Sequence, residues 1–363
     1  MAYTQEQLAR IWLQCTPMNG WNKLSKLKER FHSAQGVWEN YTPALYQLLG
    51  EELFSHLADM RMRKCAPYLD MLDRIGAHAL FLGESAYPAF LSQIENPPDV
   101  LFVRGQLPPP DTPAIAIVGS RSSTRYGSSQ ARRIARELAQ CGVTVVSGLA
   151  RGIDAAAHLG ALEGGGRTVA VLGCGLAQCY PPENKELAQR IIDSGGAIVS
   201  ELSPDAAPLP YHFPVRNRII SGLSQGILLI EAREKSGTHS TIHYALAQGR
   251  EVFALPGNVD APGSELPLKL LKEGAALCTC ADDILSFMNW KIRPPVQASL
   301  FDETAPEETD PILKALALEE KTLEELLQET GLSVDALSTQ LTLLELNGQI
   351  ERRAGRAFAR TRP

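Results

Sequence analysis

The sequence lacks any segment typical of secretion or membrane insertion. Its first seven residues are polar and contain no basic patch followed by an apolar stretch, so they do not read as a signal peptide. The longest apolar runs, such as residues 226–231, have the length of a buried strand and fall far short of a membrane span. We therefore expect a cytoplasmic protein that does not contact a membrane.

Cysteine frameworks and metal-ligand clusters are also missing. The seven cysteines are scattered and odd in number, a pattern typical of reduced thiols in the cytosol. Cys278 and Cys280 are too close in sequence for the usual zinc spacing. His239 and His243 would lie on one helix face, but the sequence shows no third ligand. We predict neither a metal site nor a cofactor.

Positive charge is scarce overall, because 35 Lys and Arg stand against 41 Asp and Glu, a formal net charge of −6. This balance argues against a protein coated in positive charge, such as a histone-like duplex binder. Five arginines and no acid lie within residues 121–136, and five more, again without an acid, within residues 352–362. Any nucleic-acid contact must therefore be local, and a solvated tail explains the second cluster equally well.

Composition changes divide the 363 residues into four segments, in line with two or three domains for this length. Residues 1–105 show leucines at helical spacing, which predicts a helical domain that ends in prolines. Residues 106–288 alternate short apolar runs with stretches of helix length. Residues 289–310 are rich in proline and acid, which predicts a disordered linker. Residues 311–363 contain two helices and a hairpin, the outline of a winged-helix domain.

Six apolar runs in the second segment are rich in valine and isoleucine and apolar on both faces. Such runs are typical of parallel strands covered by helices on each side, and their alternation with helices predicts a doubly wound α/β sheet. The runs lie at residues 114–118, 143–146, 168–172, 197–199, 227–230 and 251–255.

Small or polar residues follow all six runs. Because ligands of parallel α/β sheets bind beyond the carboxyl ends of the strands, these loops predict a single lined crevice. The first loop opens with Gly119, Ser120 and Arg121, which offer close backbone approach, a hydroxyl and a forked donor to a phosphate. Ser147 and Gly148 follow the second run. The first loop matches neither the dinucleotide fingerprint nor the Walker A pattern.

The segment after the fourth run places aromatic rings beside arginines. Phe213 is suited to stack on an unpaired base, and Arg216 and Arg218 are suited to hold phosphates, a combination typical of single-strand binding. The alternatives are structural. The two arginines could pair with Glu201 or Glu231 and brace the crevice, and Phe213 could belong to the core.

Six blocks of the second segment resemble, in order, the signature blocks of the DprA/Smf family. The similarity covers roughly residues 80–285, whereas the flanking segments resemble the family's SAM-like and winged-helix domains, the first more weakly. The blocks are Ile-Val-Gly-Ser-Arg at 117–121, Ser-Gly-Leu-Ala-Arg-Gly-Ile-Asp at 147–154, Val-Ala-Val-Leu-Gly-Cys-Gly at 169–175, Tyr-Pro-Pro-Glu-Asn at 180–184, Phe-Pro-Val-Arg-Asn-Arg-Ile-Ile at 213–220 and Gln-Gly-Arg-Glu-Val-Phe-Ala-Leu-Pro-Gly at 248–257.

The resemblance implies a Rossmann-like protein that binds and protects incoming single-stranded DNA, forms a homodimer and helps load the RecA recombinase in natural transformation. Residues 236–241 and 263–268 depart from the family pattern in the region of its dimerisation helices. By resemblance, the DNA pocket consists of Gly119, Ser120, Arg121, Ser147, Gly148, Phe213, Arg216, Asn217 and Arg218.

A second resemblance lies in the predicted linker. The pentapeptide Gln-Ala-Ser-Leu-Phe at residues 297–301 is similar to the peptide by which bacterial DNA-metabolism proteins dock on the polymerase sliding clamp. Gln297, Leu300 and Phe301 would be its contacts. Five-residue motifs also arise by chance, so an ordinary linker remains the alternative.

Two other functions compete with DNA binding. Lysine-decarboxylase-like nucleotide hydrolases close a similar crevice, but their Pro-Gly-Gly-x-Gly-Thr block is absent, and the corresponding loop is residues 236–238. The sequence shows no nucleophile with a base and no cofactor fingerprint, so we predict that the protein is not an enzyme. A transcription factor is the second rival, but most of the informative residues lie outside the winged helix.

Overall fold

The computed structural model describes residues 3–17, 21–290, 311–316, 321–346, 349–352 and 357–360. The chain separates into two compact units, Met1–Pro295 and Val296–Pro363. The first unit is built around a nine-stranded sheet and the second around a three-stranded sheet. None of the described helices is both long enough and apolar enough to cross a membrane.

The large sheet is mostly parallel. Its strands are β1 (Ala77–Phe81), β2 (Val100–Gly105), β3 (Ala114–Val118), β4 (Thr144–Ser147), β5 (Thr168–Val171), β6 (Ala197–Ser200), β7 (Gly226–Leu229), β8 (Glu251–Ala254) and β9 (Ala276–Leu277). The strand order is β1-β2-β6-β5-β4-β3-β7-β8-β9. The chain winds from β3 outward to β6 and then returns to place β7 on the other side of β3. The switch point therefore lies at β3, where such sheets bind ligands.

The six predicted strands are β3 to β8, each within one residue of its predicted bounds, and the doubly wound α/β prediction is confirmed. The strands β1, β2 and β9 were not predicted. β1 pairs antiparallel with β2, and β2 pairs antiparallel with β6 through Phe102 and Ser200. The sheet therefore begins at residue 77, within the segment that the sequence assigned to a helical domain.

Helices before β1 form the amino-terminal part of the first unit. They are α1 (Gln5–Gln14), α2 (Trp21–Phe31), α3 (Ala34–Glu39), α4 (Tyr46–Leu49), α5 (Glu51–Met62) and α6 (Ala66–Ile75). A capping box between Thr4 and Gln7 starts α1. The fully buried Trp12 donates its ring N–H to the Leu57 carbonyl oxygen at 2.8 Å. One hydrophobic cluster joins these helices to Ala170 of β5, so they share a core with the sheet.

Helices cover both faces of the sheet. They are α7 (Ala89–Ser92), α8 (Arg125–Gln140), α9 (Ile153–Glu163), α10 (Lys185–Asp193), α11 (His212–Gly222), α12 (Thr238–Ala247), α13 (Glu265–Lys272) and α14 (Ala281–Phe287), with short 3-10 turns at Pro43–Leu45, Pro182–Asn184 and Pro262–Ser264. Alternate residues of β3 face opposite sides. Ile115 and Ile117 pack against α8, α9 and α14, whereas Ala116 and Val118 pack against α11, α12 and α13. This two-sided burial explains why the strands are apolar throughout.

The second unit contains the predicted helix pair and hairpin strands. Its elements are α15 (Pro311–Ala315), β10 (Lys321–Thr322), α16 (Leu323–Thr330), α17 (Val334–Leu346), β11 (Ile350–Arg352) and β12 (Ala357–Arg360), with strand order β10-β12-β11. The predicted cap is present, because the Ser333 hydroxyl accepts from the Ala336 N–H at 3.3 Å. Leu326, Leu337 and Phe358 form part of its core. These elements agree with the winged-helix prediction.

The predicted linker falls almost entirely outside the described residues. Residues 291–310 are not described, and Gln297, Leu300 and Phe301 of the clamp-like pentapeptide lie among them. Trp290 is described, and its backbone N–H donates to the Leu285 carbonyl oxygen of α14 at 3.0 Å. The first two residues of the predicted linker therefore belong to the first unit.

Candidate nucleic-acid interface

A pocket of about 500 Å³ opens at the carboxyl ends of the parallel strands around β3. Five of the six predicted loops meet there, namely those that follow β3, β4, β5, β6 and β7. The loop after β8 instead lines a neighbouring cavity with Tyr126 and Glu231. The predicted crevice is thus present, and its position follows from the switch in strand order at β3.

The pocket brings together most of the predicted site residues. Ser147 and Gly148 do not line the pocket, and the fully buried Ser147 hydroxyl donates to the Ile117 carbonyl oxygen at 2.7 Å. Arg218 does not line the pocket. The predicted residues that do line it are Gly119, Ser120, Arg121, Phe213, Arg216 and Asn217.

The loop after β3 is held close to the scaffold. The Ser120 N–H donates to the Glu231 carbonyl oxygen at 2.7 Å. A Cβ atom on Gly119 would lie 2.8 Å from that same oxygen and 2.7 Å from the Ile153 side chain, so a larger residue would push the loop away. Glycine here therefore sets the depth of the pocket.

Arg121 extends from this loop as an exposed cation. Its guanidinium carbon lies 5.3 Å from the centre of the Phe213 ring, within cation–π distance. No carboxylate of the described residues forms an ion pair with Arg121. Arg121 is therefore the pocket arginine whose charge remains available to a ligand.

Two aromatic rings stand side by side in the pocket wall. The centres of the Tyr180 and Phe213 rings are 5.6 Å apart, with an angle of 48° between the rings. Phe213 packs so closely on Gly173 that a Cβ atom there would lie 2.8 Å from the ring, whereas Tyr180 is 36% exposed. Tyr180 was not among the predicted site residues, although it lies in the connection that follows the third predicted strand.

Arg216 forms the floor of the pocket. It is 5% exposed and donates to the Gly148 carbonyl oxygen at 3.0 Å and to the Val171 carbonyl oxygen. Burial lowers the pKa of its guanidinium to about 10, while the Asp154 carboxylate acts in the opposite direction. The group therefore stays cationic at neutral pH and gives the floor a positive charge.

Asp154 lies beside Arg216 and ties the β4–α9 turn together. Its carboxylate accepts from the Gly148 N–H at 3.1 Å and from the Ala150 N–H at 3.4 Å. Burial raises the pKa of the Asp154 carboxyl, although Arg216 and these two N–H groups oppose the rise. A Cβ atom on Gly148 would lie 2.7 Å from this carboxylate, so glycine is needed at that position.

Arg218 points away from the pocket. Its guanidinium donates to both carboxylate oxygens of Glu201, at 2.7 and 2.5 Å, and to the Asn96 carbonyl oxygen at 3.0 Å. The side chains of Arg218 and Glu201 are 11% and 2% exposed. Side chains two residues apart on a helix point about 200° apart. Because Arg216 faces the pocket, Arg218 faces the opposite side of α11. The predicted phosphate contact of Arg218 is therefore corrected to the bracing alternative, with Glu201 as partner.

Two further polar groups face the pocket. The Asn217 amide donates to the Ser240 hydroxyl at 2.9 Å. The Ser236 hydroxyl oxygen is buried and has no hydrogen-bond partner among the described residues, although Ser236 lines the pocket. Such an orphaned group is expected where a ligand completes the hydrogen bonding.

No metal-binding cluster of three or more His, Cys, Asp or Glu residues occurs in the described part of the chain. His239 and His243 both lie on α12, without a third ligand beside them. The chemistry that the pocket offers consists of the free guanidinium of Arg121, two aromatic rings, hydroxyl groups and the buried Arg216 and Asp154 side by side. Such groups bind phosphates and bases.

A family model for DNA recombination-mediator protein A matches residues 78–289, more than half of the chain. The chain belongs to this family. The match begins at residue 78, within β1. The family model therefore covers β1 and β2 together with the rest of the large sheet. A second model, the DprA winged helix domain, matches residues 294–356. The resemblance to the DprA/Smf family is thereby confirmed.

Relatives of known sequence and structure agree with this family membership. Protein Smf of Escherichia coli is 41% identical over 285 residues, which cover 77% of this chain and 76% of the relative. The structure of DNA processing protein A from Streptococcus pneumoniae has a TM-score of 0.63 and 30% identity, over 81% of this chain and 99% of that one. A Helicobacter pylori structure, reported for its single-stranded DNA binding mode, has a TM-score of 0.54 and 29% identity over 60% and 97%.

Proposed function

We propose that this family member binds single-stranded DNA in the pocket at the carboxyl ends of its parallel strands. The observation that carries the proposal is the exposed, unpaired Arg121 placed 5.3 Å from the ring centre of Phe213. A cation beside an aromatic ring can bind a phosphate and its neighbouring base at once. The single-stranded DNA binding reported for the H. pylori relative supports the same assignment.

Each pocket residue has a distinct role in this proposal. Arg121 donates charge-assisted hydrogen bonds to a phosphate. Phe213 and Tyr180 stack on the base that follows. Arg216 contributes positive charge from the floor without reaching outward, because carbonyl oxygens already hold it. The orphaned hydroxyl of Ser236 completes its hydrogen bonding with the ligand.

The neighbours of these residues set the shape of the pocket. Gly119 and Gly148 permit the close approach of the backbone, while Ser120, Ser147 and Asn217 hold the loops in place. Arg218 makes no DNA contact in this proposal, because its guanidinium forms an ion pair with Glu201.

The pocket suits an unpaired strand better than a duplex. Its volume of about 500 Å³ lies within the range of small-ligand sites, which fits one or two nucleotides. In a duplex the faces of the bases are hidden in the stack, so Phe213 and Tyr180 could not reach them. The aromatic wall therefore selects bases that are free to leave a stack.

The binding serves recombination in this proposal. By family membership, the protein would protect incoming DNA in the cytoplasm, act as a homodimer and help load RecA during natural transformation. Docking on the polymerase sliding clamp through Gln297, Leu300 and Phe301 is a separate proposal. A labelled peptide of residues 295–305 that fails to bind the clamp, alone or within the whole chain, would overturn it.

We also infer a binding protein and not a nucleotide hydrolase. Asp154 is the only carboxylate among the described residues that line the pocket, and the Gly148 and Ala150 N–H groups and the neighbouring Arg216 hold it as a structural group. Incubation with nucleoside monophosphates should release no free base. Release of base that Arg121→Ala abolishes would favour the enzyme.

Fluorescence anisotropy with a labelled hexathymidylate tests the main proposal. Arg121→Ala should weaken binding about 10- to 100-fold, because it removes a hydrogen bond to a charged group. The matched control is Arg63→Ala at the exposed end of α5, which should bind like the wild type. Wild-type affinity in Arg121→Ala would show that the pocket is not the DNA site.

A further inference from the structure

The exposed face of α8 carries a line of arginines that the pocket does not use. Every residue of this line is exposed, and the spacing of four, three, four and four residues keeps all five on one helix face. No acidic residue interrupts it. The line, which we name the α8 stripe, consists of Arg125, Ser129, Arg132, Arg136 and Gln140.

Positive charge exceeds negative charge around the α8 stripe. Glu163 of α9 accepts from Arg132, and Arg132, Arg136 and Arg190 all lower the pKa of its carboxyl. Glu163 alone cannot neutralise three guanidinium groups, and the buried carboxylate of Glu231 is bound at the cap of α8, where it accepts from the Thr124 N–H at 2.9 Å. No ion pair joins Arg125 or Arg136 to a carboxylate within the described ranges.

Arg133 flanks the α8 stripe and is held by other residues of the protein. Arg133 pairs with Glu137 at 2.8 Å and donates to Gln130 at 2.7 Å. It also donates to the Thr279 carbonyl oxygen, at the start of the segment that leads into α14. Arg133 is therefore held by the protein on three sides, whereas Arg125 and Arg136 extend into solvent.

The α8 stripe begins with Arg125, four residues after Arg121 of the pocket. Thr124 caps the first turn of α8, only three residues after Arg121. At 1.5 Å of rise per residue, Arg125 and Arg136 are about 16 Å apart along the helix, so the stripe leads several nucleotides away from the pocket mouth. The whole chain carries a net charge of −6, so an uncompensated line of cations here is a local feature.

We propose that the α8 stripe holds the sugar-phosphate backbone of the DNA strand after it leaves the pocket. This inference rests on the proposed function. The occupant is the same strand because the line of cations begins four residues after Arg121, the free cation of the pocket, and matches a polyanion in charge. The stripe itself contains no aromatic residue, so it grips phosphates and leaves the bases unread.

Binding of two oligonucleotides separates the α8 stripe from the pocket. A hexathymidylate places one or two nucleotides in the pocket and ends near it, whereas a 20-mer also covers the length of the stripe. The full-length variant Arg125→Gln/Arg132→Gln/Arg136→Gln should bind the hexamer within about twofold of wild type and the 20-mer about 10-fold more weakly. The slope of log affinity against log salt for the 20-mer should fall by about 2, since each single-strand phosphate contact contributes about 0.7.

The matched control removes three charges elsewhere. Lys26→Gln/Arg63→Gln/Lys272→Gln changes exposed residues outside the pocket and outside the α8 stripe. It should bind the 20-mer nearly as wild type does. Each comparison is made at one length, because a longer strand also offers more binding registers. A control as weak as the stripe variant would overturn the proposal in favour of a general charge effect.

A gain of affinity gives an independent check. Glu163→Gln removes the carboxylate that pairs with the α8 stripe and should tighten the 20-mer by about two- to threefold, with no change for the hexamer. If the triple variant does not fold, Arg125→Gln/Arg136→Gln keeps the Arg132–Glu163 pair and should show a smaller loss in the same direction.

Three results would overturn the inference. The first is a triple variant with wild-type affinity and salt slope for the 20-mer. The second is a loss of hexamer binding at an unchanged melting temperature. The third is a loss confined to a 20-base-pair duplex, which would make the stripe a duplex site. Failure of the proposed function looks different, because hexamer binding would then be absent from the wild type or unaffected by Arg121→Ala.

Discussion

The two faces of α11 carry the same residue type in two different uses. Arg216 faces the pocket and forms its floor, whereas Arg218 faces the opposite side and pairs with the buried Glu201. Both arginines are buried, so burial alone does not distinguish them. The difference shows that the nearest carboxylate and the helix face decide what an arginine does.

Loss of the buried ion pair between Arg218 and Glu201 should have the largest effect on stability. Glu201→Gln leaves the Arg218 guanidinium buried without its counter-ion, which should lower the free energy of unfolding by about 3–5 kcal/mol. Urea unfolding measures this loss. The folded fraction should still bind the hexathymidylate with nearly wild-type affinity. Glu183→Gln is the control, because its ion pair with Arg151 is exposed and its loss should change stability far less. A Glu201→Gln protein that has normal stability but no longer binds DNA would contradict the structural role of Arg218.

Changes to the pocket face should act on binding and spare stability. Phe213→Leu keeps an apolar side chain but removes the ring, and should weaken the hexamer by about 1–3 kcal/mol. Tyr180→Leu should act in the same direction. Tyr126→Leu removes an exposed ring that lies outside this pocket and should leave affinity unchanged. Anisotropy titrations measure the affinity of all three variants. Equal affinities would show that the rings of Phe213 and Tyr180 do not contact the DNA.

Acid should weaken the fold through His158, which is fully buried in α9. Burial, aided by Arg216, lowers the pKa of His158 from 6.5 to about 3. Between these values the unfolded chain binds a proton that the folded chain does not. Stability from His158 is therefore complete above pH 6.5 and is lost as the pH falls towards 3, by up to about 1.4 kcal/mol per pH unit.

Comparison of His158→Asn with the wild type isolates this contribution. The stability of the variant should depend less steeply on pH between 6.5 and 5, by about one proton. Urea unfolding at several pH values provides both slopes. Parallel slopes would mean that His158 is not held neutral in the folded state.

Removal of the second unit should have the smallest effect. A chain that ends before Val296 retains the whole first unit and should bind the hexamer within about twofold of the full chain. The same anisotropy assay measures this. Loss of all binding would move the site out of the pocket and make the comparison of the α11 faces irrelevant to DNA.

Much of the fold followed from the sequence pattern. The strands β3 to β8 were predicted because helices cover both faces of a parallel sheet, which leaves their residues apolar throughout. The strand β2 is equally buried, but it pairs antiparallel at the far side of the sheet and lies between prolines, which the sequence presents as a domain end. The strand β9 has two residues, too few for any periodicity.

The candidate site was predicted in part. Gly119, Ser120, Arg121, Phe213 and Arg216 meet in one pocket because they follow strands or start the helix beside them. Other pocket residues lie in the same loops, but only the path of the backbone decides which members of a loop face inward. The residues missed in this way include Asp154, Tyr180 and Ser236.

The parallel sheet, its crevice and the loops that line it follow from local features of the sequence, namely apolar runs and the polar residues after them. Which arginine stays free depends on contacts made in the folded chain. Glu201 meets Arg218 across the fold, while no described carboxylate pairs with Arg121. Such pairings depend on distances between residues far apart in the chain, which no local pattern encodes.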